Sequence, residues 1–458
     1  MKPFYRAVPA VVLAALLLAI PTPASAVTPG AEHQMVNDSA EEIEPALISQ
    51  SRFGVDYVVT VYMKFNPNIA AVPSTLEFAA YTSNGLSTYG ALPTSSALAN
   101  YNRFADPVLA QPEGVTNPRI YLAAIGINDN GDSALIIWSS DNGGWYWTAP
   151  YVIETETTSG MNLDKPGITV APDGTVHLAY INAAGANTMS YRSGTYNASA
   201  GTWSWSAATN VLGNATNCQA PQVMVDSNYD VYILYTDDQL GAPNPSRIRL
   251  VRDDAAVPGV AFAQVNDMPN IGLLYGTTAL GEWIPLKPGV QVRGRTVPVA
   301  RLDRANRRIA AAWHEADGSG HSRIRFASLE TDGSRTWTNP LVIAASGGHD
   351  INVGMAKDDL GKWLVTYYSF PGTGTASYYS QVGTTVYFSG DTPLHDSGNN
   401  TMITGRLGDL ADYHDAPAGS SHRFLGEYHD VSYSLGTFKS VHILVTGTGN
   451  PWIFEATH

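Results

Sequence analysis

The stretch from Arg308 to Pro340, RIAAAWHEADGSGHSRIRFASLETDGSRTWTNP, constrains the fold more than any other part of the chain. An apolar run containing Trp313 leads into a Gly-rich turn at Asp317 to Gly320. A second run, Ser322 to Leu329, is followed by a polar corner from Thr331 to Trp337, and then by Pro340. The pattern predicts two antiparallel strands, a compact turn closed by a tryptophan, and entry into a further strand. Such a sheet buries its two faces only against neighbours, so the question is whether the plan recurs.

It does. Tyr57 to Phe65 and Ser74 to Tyr81 form a first pair of runs, closed by Thr82 to Tyr89. Arg119 to Ile127, the turn Asn128 to Gly131 and Ser133 to Trp138 form a second, closed by Ser139 to Trp147. Later pairs include Ile168 to Ala171 with Val176 to Ile181, Val223 to Asp226 with Val231 to Tyr235, Val353 to Ala356 with Trp363 to Tyr368, and Tyr428 to Tyr433 with Phe438 to Val445. Hairpins recur roughly every 50 to 80 residues with no amphipathic helix between them, which predicts an all-β β-propeller of four-stranded antiparallel blades. About seven units are expected, or six if the loop-rich ends do not each complete one. The last unit is short of strands, so the N-terminal segment is expected to complete it and close the ring. A β-sandwich with appended strands fits less well, because it needs long structureless connections.

The chain is expected to divide into a signal peptide (1–26), a flexible acidic lead-in (27–45) and one propeller domain (46–458). Lys2 and Arg6 precede an apolar run from Ala7 to Ile20, and Ala24-Ser25-Ala26 has the small residues of a cleavage site. That run falls short of the roughly 20 residues of a membrane span, so an exported, not membrane-spanning protein is expected. The single cysteine, Cys218, excludes an internal disulfide. A net charge of −14 argues against nucleic acid as a partner. Aromatic residues at 10% suit sugar binding as well as a β-rich core. The Pro/Gly-rich piece from Ala255 to Gly294 reads as an inserted loop.

At its corners the chain resembles the sialidase-like propellers and their bacterial-neuraminidase repeats, whose Asp-box pattern is Ser-x-Asp-x-Gly-x-Thr-Trp. Ser139, Asp141 and Gly143 match, with Tyr146 in the aromatic place and Trp147 beside it. Asp332, Thr336 and Trp337 match in the fifth unit, with Glu330 and Ser334 replacing Ser and Gly, and Asn84 and Tyr89 stand for Asp and Trp in the first. In that family these corners are structural. The resemblance implies three arginines gripping a substrate carboxylate, an aspartate acid/base and a tyrosine nucleophile assisted by a glutamate. The planar guanidinium suits a carboxylate. The family's early Arg-Ile-Pro motif is missing; Pro118-Arg119-Ile120 has the letters in another order.

Two groups of residues carry candidate chemistry. The fifth unit is arginine-rich (Arg293, Arg295, Arg301, Arg304, Arg307, Arg308, Arg323, Arg325), and from it Arg295 and Arg301, with His314 and Glu315 at a strand end, are candidate substrate-binding residues. The C-terminal cluster Asp409, Asp412, His414, Asp415, His422, Glu427, His429 and Asp430 offers acid/base groups, and Glu427, Asp430 and Tyr433 are the candidate catalytic residues. No spacing matches a metal signature, and no metal or cofactor is expected. Glycans or polysaccharides are the expected partners. The expected function is a sialidase-like propeller acting on glycans, of exo-sialidase type if catalytic. The alternatives are a non-catalytic lectin or adhesion module, a polysaccharide lyase and a protein-interaction propeller.

Overall fold

The computed structural model of the chain describes residues 32–34, 41–65, 74–157, 160, 162–184, 188–211, 218–237, 247–255, 262–276, 281–332, 335–370, 372, 378–395, 400–403, 422–423, 425, 427, 429–445 and 451–457. The expected signal peptide, and Asp409 to Asp415 of the C-terminal cluster, lie outside the described residues.

Seven antiparallel sheets, each with a four-strand path, follow one another along the chain, and within six of them spatial order repeats chain order. The protein is a seven-bladed β-propeller. Its inner strands are Glu41–Arg52, Val55–Phe65 being the second strand of that blade, then Arg103–Ala110, Leu163–Val170, Cys218–Val225, Val299–Asp303, His349–Lys357 and Val431–Ser434 for blades 2 to 7. All seven contribute to the wall of a central tunnel with a cavity of about 310 Å³. We call the face where inner strands begin the upper face and the face where they end the lower face.

The middle strands explain why the sequence reads as apolar runs rather than alternation. In blade 2, every residue of Ile120–Ile127 and Ser133–Ser140 is buried, because both faces of the sheet pack on neighbouring blades. Separate apolar clusters fill the gaps, as between blades 4 and 5 (Leu234, Leu250, Ile309, Trp313) and between blades 5 and 6 (Ala312, Phe326, Met355, Trp363).

The N-terminal segment closes the ring, as expected. Glu32–Gln34 pairs antiparallel with Pro451–Thr457 and becomes the outer strand of blade 7. Residues 27–45 are therefore not a lead-in throughout. Two further links join blades 7 and 1: the Ser49 amide donates to Ser432 Oγ at 2.8 Å, and Lys439 Nζ meets Asp56 Oδ2 at 2.8 Å in a buried ion pair. The expected inserted loop is partly ordered sheet. Ala263–Asp267 is the outer strand of blade 4, and Trp283–Lys287 and Val290–Arg293 form a hairpin that pairs in parallel with His422–Arg423. Its apolar side (Ile284, Leu286, Val292) joins the cluster that holds Ile351, Tyr368 and Ile443 of blades 6 and 7.

The tryptophan corners fasten blades, but in blade 2 one residue out of the expected frame. Asp141 is exposed and pairs with Arg119 at 3.2 Å. Ser140 Oγ accepts from the Gly144 amide and Asn142 Oδ1 accepts from the Tyr146 amide, each at 3.0 Å. Trp147 is buried beside Phe78, whereas Tyr146 is exposed. A second device recurs after the tryptophan. Thr148, Thr338 and Ser206 each accept, through the side-chain oxygen, a bond from a third-strand amide (Ser139, Ser328 and Ser193) at 3.0 Å.

Arg304 ties the lower face together. From blade 5 its Nε donates to Val225 O of blade 4 at 2.8 Å, its Nη2 to Val170 O of blade 3 at 3.2 Å, and its Nη1 to Glu113 of blade 2 at 2.7 Å. Two of these bonds end inner strands whose carbonyls have no strand partner on the tunnel side. Arg304→Ala is expected to lower unfolding stability by about 2–4 kcal/mol, on the scale of charge-assisted hydrogen bonds. Denaturant melts check this, and a loss below about 0.5 kcal/mol, the scale of an ordinary surface substitution, contradicts it.

Candidate functional site at the upper mouth

The upper mouth is built by an irregularity shared by inner strands. In blades 1 to 4 a register shift falls at Glu44-Pro45, Asp106-Pro107, Lys165-Pro166 and Ala220-Pro221. The residue before each proline has positive φ (52°, 53°, 48° and 52°), and Asn352 of blade 6 does the same at φ 50°. Proline lacks an N–H, so it is tolerated on an edge strand at a bulge. A left-handed residue in a strand interrupts the alternation of side chains. Three of the five side chains so placed are ionisable: Glu44, Asp106 and Lys165, from adjacent blades.

Glu44 and Lys165 meet Glu427, on the segment that leads into blade 7, and Asp106 joins them through Lys165. Lys165 Nζ pairs with Glu427 Oε2, the Lys165 amide donates to Asp106 Oδ2 at 3.1 Å, and the Glu427 amide donates to Glu44 Oε1 at 3.4 Å. The hairpin adds Arg293, whose Nη2 lies 3.0 Å from Glu427 Oε1. Glu44 is 4% exposed and Glu427 3%. Burial pushes the Glu44 carboxyl up to about 7; Lys165 opposes the shift and Glu427 adds to it. Burial also raises Asp106 well above the usual range. Burial acts on Glu427 in the same sense, but Lys165 and Arg293 outweigh it and hold its pKa below the ordinary value. At neutral pH the mouth thus holds a carboxylate locked to two cations and, within hydrogen-bond reach of its backbone, a carboxyl poised near neutrality.

Arg295 stands apart from this network. Its charge helps to hold Glu427 ionised, yet it makes no hydrogen bond or ion pair to any described residue, and its Nε is buried without a partner. Its stem runs against Gly276, where a Cβ would come within 2.6 Å of Arg295 Cγ and where φ is +89°. Glycine at 276 leaves room for the arginine.

The other expected site residues are dispersed. Asp430 faces the tunnel and pairs with Arg301 of blade 5 at 2.9 Å. Tyr433 lies further down the wall of blade 7, against Phe438. Burial, followed by the Asp359 carboxylate, raises its phenol above the ordinary value, the opposite of what an activated tyrosine nucleophile requires. Glu427, Asp430 and Tyr433 are thus spread along blade 7, from the upper mouth towards the lower face. His314 is fully buried and donates through Nε2 to Gly294 O at 2.8 Å; burial lowers its pKa to about 4. Glu315 is fully buried too. Its Oε2 accepts from the Gly272 amide at 2.7 Å and Trp313 Nε1 at 3.0 Å, and its Oε1 from Arg323 at 2.7 Å. It pins the chain leaving blade 4 onto blade 5. His429 meets Thr366 Oγ1 at 2.8 Å, and burial lowers its pKa to about 3. Of the fifth-unit arginines, only Arg293 and Arg295 flank Glu427 among the described residues; Arg307 and Arg308 pair with Asp332 and Asp391. A grip of three arginines on one point is not formed by the described residues. No group of three or more potential metal ligands occurs among them.

No family model matches the chain, and no curated protein matches it. Among solved structures it is similar to a protein of unknown function from Dyadobacter fermentans DSM 18053, with 14% identity and a TM-score of 0.46 over 77% of this chain and 97% of that one. It is similar to the phage phi92 endosialidase, with 10% identity and a TM-score of 0.46 over 93% and 68% of the two chains. Trypanosoma rangeli sialidase is 10% identical with a TM-score of 0.45, over 91% of this chain and 55% of that one. These are likenesses of fold.

Glu44 provides a test of the site's electrostatics. Its folded pKa lies above its unfolded value of 4.5, so the unfolded chain releases the proton first. The contribution of Glu44 to stability therefore falls as pH rises from 4.5 to about 7 and is flat above. Glu427 acts oppositely and loses its stabilising effect at acid pH. The stability difference between wild type and Glu44→Gln is expected to change by about 3 kcal/mol across that window. Melts from pH 4.5 to 8 measure it, and a pH-independent difference contradicts the assignment.

Proposed function

We propose that this chain is an exported, glycan-acting propeller whose upper mouth binds a carboxylate-bearing sugar and hydrolyses its glycosidic bond. The observation that carries the proposal is an unpaired guanidinium, Arg295, near the buried Glu427, whose pKa is driven apart from that of its neighbour Glu44. Arg295 would take the sugar carboxylate through its planar fork. Glu44, protonated up to about pH 7, would donate a proton to the leaving oxygen as the glycosidic C–O bond breaks, and a solvent water adding to the anomeric carbon would return a proton to the Glu44 carboxylate. Glu427, held by Lys165 and Arg293, would keep the mouth's cations in position. Glycosides of N-acetylneuraminic acid are the first substrates to try, because the corner motifs resemble those of sialidase-like propellers; uronate glycosides come next.

A second reading, a non-catalytic carbohydrate-binding propeller, is favoured by one observation: the Glu427 carboxylate is engaged by two cations, so it is a poor nucleophile or base. One set of assays separates the two. Under the catalytic reading, acidic glycosides are turned over, kcat/KM falls above about pH 7, Glu44→Gln reduces kcat by a factor on the order of 100 or more, and Arg295→Ala weakens binding about 10- to 100-fold. Binding that depends on Arg295 without any turnover assigns the binding role instead. Absence of binding to every acidic sugar by folded protein overturns both.

A further inference from the structure

A second cavity, of about 540 Å³, lies on the upper face between the inserted hairpin and blades 5 and 6. Its size is within the range of small-molecule sites. The hairpin contributes Pro285, Lys287 and Gln291; the turn between the second and third strands of blade 5 contributes Ser319 and His321; His349 begins the inner strand of blade 6. No carboxylate lines it, and hydroxyl, amide, imidazole and ammonium groups do.

His349 supplies an observation independent of shape. It is 1% exposed, and its Nδ1 has no partner among the described residues. The Pro285 carbonyl takes a hydrogen bond from the ring, and burial keeps the imidazole neutral. Nδ1 is therefore a buried, unsatisfied acceptor on a residue that lines a polar cavity, a costly arrangement unless a donor reaches it. A sugar hydroxyl is such a donor. The edge-on ring of His321, 6.0 Å away, continues the same wall.

The hairpin joins this cavity to the mouth. Along Val290–Arg293, Val290 and Val292 are buried in the core while Gln291 and Arg293 share the other side. Gln291 lines the cavity and Arg293 reaches Glu427, two residues and about 7 Å further along the strand. We propose that the cavity is a second subsite, which takes a further ring of a glycan whose acidic ring sits at Arg295. The proposal rests on the glycan-binding reading of the mouth. It makes the hairpin insertion the element that selects oligosaccharides over single sugars.

Calorimetric titration of the full chain with two acidic series tests it: N-acetylneuraminic acid with its linear dimer and trimer, and galacturonic acid with its linear dimer and trimer. In one series the dimer or trimer is expected to bind at least tenfold tighter than the single sugar. Gln291→Ala, and independently Ser319→Trp, which fills the cavity from an exposed turn, are expected to reduce that advantage to threefold or less while leaving the single-sugar affinity unchanged. Wild type that binds single sugars with no gain from length overturns the subsite and leaves the mouth intact. So does a gain that survives both variants. Failure of every member of both series to bind wild type overturns the mouth reading and the subsite together.

Discussion

The inner strand of each blade is a sheet edge facing the tunnel, and in blades 1 to 4 and 6 a bulge near its upper end sets which side chains gather at the mouth. A proline on such an edge loses no ladder bond, and the left-handed residue before it projects out of the strand's regular alternation. Each non-glycine residue at positive φ costs on the order of 1 kcal/mol or more. Repeating the arrangement at Glu44, Asp106, Lys165, Ala220 and Asn352 is affordable only because the flanking sheets impose it. The return is an inward-turned set of charges on rigid strands rather than loops.

Those charges form one system. Lys165 shares a single carboxylate, Glu427, with Arg293, and its backbone amide binds Asp106. Glu44, next in line, has no cation of its own at hydrogen-bond distance among the described residues, so burial prevails and the group stays protonated to about pH 7. Burial acts on Glu44 and Glu427 in the same direction; the placement of two cations makes their pKa values diverge. Arg295 is the one guanidinium near this system for which the described residues provide no counterpart.

The repeat architecture was legible in the sequence. The hairpin spacing around Trp313 and Trp363, the closure of the last blade by the N-terminal segment, and the buried tryptophan corners at Trp147 and Trp337 all follow from local pattern. The site was less legible for a physical reason. The inner strands start at Glu41, Leu163, Cys218 and His349, whereas the apolar pattern begins at Ala46, Ile168, Val223 and Val353. The bulge and its proline break the pattern, so the charged residues above the break read as loop. The repeated pair of Glu44-Pro45, Asp106-Pro107, Lys165-Pro166 and Ala220-Pro221, each ahead of an apolar run, was the available signal. Arg295 and Glu427 could be picked out by residue type. His314 and Glu315 could not be told from site residues, because a buried structural carboxylate has the same sequence signature as a catalytic one until its partners are known. The one-residue shift at Asp141 has a similar origin, since Ser139 and Ser140 both precede a turn-forming side chain.

The central claim is that burial and unequal cation placement hold Glu44 and Glu427 in opposite protonation states at the upper mouth. Carbon-13 NMR of side-chain carboxyls in glutamate-labelled protein, titrated from pH 4 to pH 9, addresses it directly. One glutamate resonance is expected to titrate near pH 7 and to vanish in Glu44→Gln, while the Glu427 resonance titrates below the ordinary glutamate range. A wild-type spectrum in which every glutamate titrates below about pH 5, the ordinary range of an exposed carboxyl, contradicts the account.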